Sequence, residues 1–163
     1  MRLTSAIHRM GVTFALVITG MLASVSIAGP VLDRVKASGT VRVCIWPDYY
    51  GITFRNPRTE QLGGIDIDLS SEFAKTLGVK LQYVESSFST MIDDLSSDRC
   101  DISMHAVGVT PQRQLKLRFS QPYLQSDIYG VTTRGNRLVR NWEDIDRPGV
   151  RVAVQSGTFM EPV

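Results

Sequence analysis

Metal and thiol chemistry have little to draw on here, because the 163 residues include only two histidines and two cysteines. Neither His8 nor His105 stands at ligand spacing from Cys44 or Cys100, so no metal site and no cofactor is expected. Long blocks of one charge are missing too. Lys and Arg number 18 against 16 Asp and Glu, a formal net charge of +2, and without a basic stripe nucleic acid is not an expected partner. No phosphate loop, nucleophile elbow or metal motif occurs, which leaves no catalytic residue to name. Beyond residue 31 no apolar run is long enough to span a bilayer.

What is present has the texture of an ordinary soluble domain, 43% apolar and 21% charged. The one anomaly is at the start. Arg2, His8 and Arg9 precede an uncharged stretch from Met10 to Val31, and Ser26-Ile27-Ala28 supplies small residues three and one positions before a cut. This pattern predicts a signal peptide over residues 1–28, cleaved after Ala28, and therefore a periplasmic protein. In that compartment Cys44 and Cys100 could pair. If both sat in neighbouring parallel strands, their register would hold them apart, so the pairing stays open.

The mature chain alternates between strand and helix signals. Residues 31–38 read as an amphipathic helix closed by Gly39, and residues 65–77 as another closed by Gly78. Residues 40–46, 79–84 and 101–107 read as strands, with a helix over 90–98 between the last two. Strand, helix, strand, helix, strand makes two crossover units, hence a parallel sheet with helices packed on it. Thr110 is the expected N-cap of a short helix with Pro111 at its first position. Residues 127–133 and 150–154 are β-rich, and 142–145 forms a helical turn.

Ligands of open parallel sheets bind beyond the carboxyl ends of the strands. Those ends carry Trp46, Tyr49 and Tyr50 after the first strand, Phe88 after the second, and His105 to Thr110 after the third. The aromatics suit the apolar part of a ligand or a cation, with Tyr49 and Phe88 the better pair. Arg113, at a helix start, matches a carboxylate. His105 lacks a partner carboxylate or thiol. Asp66 and Asp68, two residues apart, do not share a helix face and read as capping and solvating residues.

In order and spacing, the segments 32–43, 64–69, 107–113, 119–123 and 152–158 together resemble the amino-acid-binding family of periplasmic solute-binding proteins that serve ABC importers. Quoted as they stand, these are LDRVKASGTVRV, GIDIDL, VGVTPQR, FSQPY and VAVQSGT. The resemblance implies an α/β, type II two-lobed fold, with residues 29–133 as a nearly complete first lobe and 134–163 as the start of a second. The chain would then be the amino-terminal portion of a longer protein, binding poorly by itself, and the full-length protein a monomer.

The same resemblance implies that Arg113 grips the ligand α-carboxylate, helped by backbone groups around Ala106 and Gly108 and by Thr158 from the second lobe. Tyr49 and Phe88 would line the ligand side chain. Trp46 stands where members with polar ligands often carry Asp, and His105 and Ala106 where Ser or Gly is common. The implied function is capture of an amino acid or similar small polar acid for an inner-membrane ABC permease. Cyclohexadienyl dehydratases resemble the chain as well, and would need an acid such as His105 or Glu85. A sensor or accessory binding module is the third alternative.

Overall fold

The computed structural model describes residues 29–161, so the export signal over 1–28 lies outside the described residues. Helix α1 (Pro30–Ser38) leads into strand β1 (Thr40–Ile45), and the short strands β2 (Phe54–Arg55) and β3 (Leu62–Gly63) form an antiparallel pair beside it. Helix α2 (Ile65–Leu77), strand β4 (Lys80–Glu85), helix α3 (Met91–Ser96), strand β5 (Ile102–Ser103) and helix α4 (Pro111–Gln114) follow. A 3-10 turn, η1, covers Trp142–Asp144. Gly39 and Gly78 end α1 and α2 at φ +66° and +68°, the left-handed values that glycine adopts without a Cβ penalty.

The expected parallel sheet is present, in the order β4-β1-β5. Its middle strand is the most buried. Val41, Val43 and Ile45 alternate onto one face, where Val35 of α1 and Ile67 and Ala74 of α2 complete the core. Cys44 points to the opposite face and is bonded to Cys100, with a Cα–Cα distance of 5.7 Å. The register argument against this bridge fails because Cys100 lies outside the ladder. It sits in the turn that closes α3, where its N–H donates to the Asp94 carbonyl at 3.4 Å, so the pleat does not fix its distance from Cys44.

Beside the bridge, Asp101 joins the loop after α3 to α1 and β1. It accepts from the Arg42 backbone N–H at 2.8 Å, from Arg42 Nη2 at 2.7 Å and from Arg34 Nη2 at 2.9 Å. Burial by itself would raise its pKa, but these donors outweigh it and hold the carboxyl at about 2.

Two expectations do not hold. The third strand is only Ile102–Ser103, because the chain breaks from the sheet before Ala106, whose φ is +52°. Residues 127–133 and 150–154 form no strand; Val131 is 96% and Val152 59% exposed. Their β-branched composition suits a sheet, but a strand needs a neighbour for its backbone groups, and no described segment supplies one.

Candidate ligand-binding site

The carboxyl ends of β1, β4 and β5 deliver side chains to one edge of the sheet. The chain crosses from one side of β1 to the other between β4 and β5, so this edge is where the strand order reverses. Trp46, Tyr49 and Phe88 meet there, with ring centroids 5.5 Å apart for Trp46–Tyr49 and Trp46–Phe88 and 5.9 Å for Tyr49–Phe88. Tyr50 is not part of this trio. It is 81% exposed and packs on Phe54 instead.

Beneath the trio lies His105, its ring edge-on to Phe88 at 4.9 Å and fully buried. Burial pushes its pKa down to about 4, so the imidazole is neutral near pH 7. Its Nδ1 is 3.1 Å from Ser103 Oγ, and its Nε2 has no hydrogen-bond partner among the described residues.

Arg113 comes from the start of α4, where Thr110 Oγ1 accepts the Arg113 N–H at 3.3 Å and Pro111 occupies the first turn, as expected. Its guanidinium lies 6.0 Å from the Phe88 centroid and is largely buried, which lowers its pKa from the ordinary value without threatening its charge. Both ends of its fork are engaged by carbonyl oxygens: Nη1 donates to Gly108 and Nη2 to Gly157, each at 2.8 Å. Gly157 itself has φ +74°, and any Cβ there would strike the backbone of Phe88 and Ser89, at 2.6 and 2.5 Å. Phe159 covers Gly108, where a Cβ would meet its ring at 3.1 Å. Thr158 lies between them, its hydroxyl donating to the Gln155 carbonyl at 2.7 Å.

The backbone at this edge is sorted by polarity. The Ala106 N–H is given to Asp66, leaving its carbonyl without a partner among the described residues; the Gly108 carbonyl is taken by Arg113, leaving its N–H without one among them. An acceptor and a donor two residues apart suit the two ends of a zwitterion.

Asp66 is the residue that sequence reasoning misplaced. Far from solvating the surface it is fully buried, and α2 begins at a Gly64 cap to which no side chain contributes. Spacing to Asp68 carried no hint of this, although its position opening a helix beside the strand ends did.

The profile of bacterial extracellular solute-binding proteins, family 3, matches residues 41–156. The chain belongs to this family. Cyclohexadienyl dehydratase of Pseudomonas aeruginosa is 34% identical over 148 residues, 88% of this chain and 54% of the relative. An ancestral amino acid-binding protein, described as a precursor of cyclohexadienyl dehydratase, superposes with TM-score 0.70 at 36% identity over 78% of this chain and 56% of its own. A point mutant of the arginine-bound form of domain 1 from TmArgBP superposes with TM-score 0.54 at 28% identity, over 57% of this chain and 71% of that domain. The family 3 chain therefore spans about half the length of the curated relative, and its two-lobed α/β fold class is that of the family.

Proposed function

We propose that this family 3 protein captures an amino acid in the periplasm and presents it to an inner-membrane ABC permease. The observation that carries the reading is the sorted edge: buried Arg113 and the Gly108 N–H for a carboxylate, the Ala106 carbonyl for an ammonium, and the aromatic trio beside them. Trp46, Tyr49 and Phe88 line the ligand side chain, with His105 as their floor. Thr158 joins the set once Gly157 has left Arg113. Asp48 and Glu85, together with Trp46, line an adjoining cleft of about 360 Å³, so a cationic side chain is favoured over an anionic one. The ancestral amino acid-binding protein and the arginine-bound domain support the same class, and the latter makes L-arginine the first probe.

Similarity to cyclohexadienyl dehydratase keeps an enzymatic reading in view. The two acids suggested for it are poorly placed. His105 is neutral near pH 7 and so carries no imidazolium proton to give, while Glu85 is exposed and paired with Arg55 at 2.8 Å.

Calorimetric titration of the full-length mature protein with L-arginine, L-histidine, L-cystine and prephenate tests both. Saturable binding of an amino acid is expected, weakened by about thirtyfold or more in Arg113→Ala, since removing one partner of a desolvated ion pair costs about 2–5 kcal/mol. If none of the amino acids binds, the capture reading fails; release of CO2 from prephenate would establish the dehydratase in its place.

A further inference from the structure

Three non-glycine residues in the described chain have positive φ: Glu60, Asp98 and Ala106. The first two lie in exposed turns, where a local cost is tolerated. Ala106 is different, because it stands in the middle of the ligand edge at φ +52°. A residue with a Cβ avoids this conformation unless its surroundings hold it there.

The holder is Asp66. Its Oδ2 accepts the Ala106 N–H at 2.6 Å, across 40 residues of sequence, and its Oδ1 accepts the Tyr123 hydroxyl at 2.7 Å, across 57. Both bonds are short and charge-assisted. The carboxylate is fully buried and makes no ion pair among the described residues, so these two donors are what compensate its charge. It bonds no N–H of its own helix, which excludes a capping role. Tyr123 closes the Phe119–Tyr123 segment that follows α4; burial and the bond to Asp66 raise its pKa and keep the hydroxyl a donor.

We propose that Asp66 is a positioning residue for ligand binding. By engaging the Ala106 N–H it fixes that residue in the left-handed conformation that presents its carbonyl to the ligand, and through Tyr123 it makes this presentation depend on the segment that follows α4. The inference rests on the ligand edge proposed above.

The test exploits glycine, which adopts positive φ without strain. L-arginine is titrated calorimetrically into wild type, Asp66→Asn, Tyr123→Phe, Ala106→Gly and the Asp66→Asn/Ala106→Gly double variant, with urea melts reporting that each is folded. Amide exchange at residue 106 is followed in parallel. Asp66→Asn should weaken binding by about tenfold, the factor that matches the left-handed penalty of a non-glycine residue, and speed exchange of the 106 amide. Tyr123→Phe should weaken binding by a smaller factor. Adding Ala106→Gly to Asp66→Asn should restore binding to within about threefold of wild type, which a merely structural aspartate would not allow. Wild-type affinity in Asp66→Asn, or no recovery in the double variant, overturns the proposal. Should wild type itself not bind L-arginine, the ligand edge is what has failed for that probe. The 106 amide then still decides whether Asp66 holds the backbone: unchanged exchange in Asp66→Asn overturns it, faster exchange supports it.

Discussion

His105 shows what a single buried side chain can impose. With its ring enclosed under Phe88 and its pKa near 4, the native protein refuses a proton that the unfolded chain accepts at about 6.5. Between those values the unfolded state binds more protons, so stability must fall as pH falls through the window, by roughly 2–3 kcal/mol at full effect. Asp101, held at about 2, keeps its stabilising contribution across this window and loses it only as pH falls below about 4, so it does not confuse the reading. Urea midpoints measured from pH 7 to pH 4.5 should decline in wild type and lie nearly flat there in His105→Gln; a flat wild-type profile would show that the ring is protonated inside the fold. At this scale the sequence was a good guide where a residue type dictates its own setting. Arg113 announced itself by standing at a proline-started helix after a strand, and Gly39 and Gly78 by closing helices. Asp66 was hinted at only by its place opening a helix beside the strand ends, and the left-handed Ala106 could not be read, because their bond spans 40 residues.

Among elements, β1 is the piece on which the others converge. It pairs with both other strands of its sheet, carries Val41, Val43 and Ile45 into the core, and through Cys44 reaches the turn after α3. The bridge closes a loop with a sequence separation of 56 that contains α2, β4 and α3. Chain-entropy arguments give such a loop roughly 4 kcal/mol of stabilisation relative to the open chain. Cys44→Ala/Cys100→Ala should therefore melt well below wild type in thermal scans, and wild type treated with reductant should approach the variant. Detection of two free thiols in the unreduced folded protein would refute the bridge. The helices and the first two strands of the sheet were legible because their periodicity is local. The bridge and the shortened β5 were not: both follow from where the chain leaves the ladder, which alternation of apolar residues does not record.

At the scale of the whole molecule, order is unevenly distributed. Among the described residues, 30–114 contain every helix and strand apart from the 3-10 turn, while Ile128, Tyr129, Val131, Leu138, Trp142, Val152 and Val154 lie substantially exposed along the remainder. The composition of residues 127–133 and 150–154 signalled sheet, and the absence of a pairing strand in the described chain decided otherwise. Within that remainder, the Tyr123 hydroxyl is tied to Asp66 and a second stretch is tied to Arg113. Gly157 gives its carbonyl to Arg113, and its own N–H donates to Glu161 at 2.7 Å, with Ser156 Oγ on the same carboxylate. Loosening this stretch at Glu161, away from the ligand edge, should change binding without touching a ligand contact. Glu161→Gln is expected to raise L-arginine affinity by a few-fold in the same titrations, and an unchanged affinity would mean that Gly157 yields its place at no cost.

The Gly157 carbonyl also defines what kind of event capture is. The guanidinium never waits bare for its guest: it already holds a neutral oxygen of the chain's own backbone, and a carboxylate enters by substitution. The measured affinity is then a difference between two bonds, a charge-assisted one gained and a neutral one surrendered, scaled by the fraction of molecules whose tail has let go. A neutral analogue with the same side chain, such as an amino-acid amide, brings nothing stronger than the oxygen it must evict. Under the proposed capture, discrimination against uncharged solutes begins in the resting state.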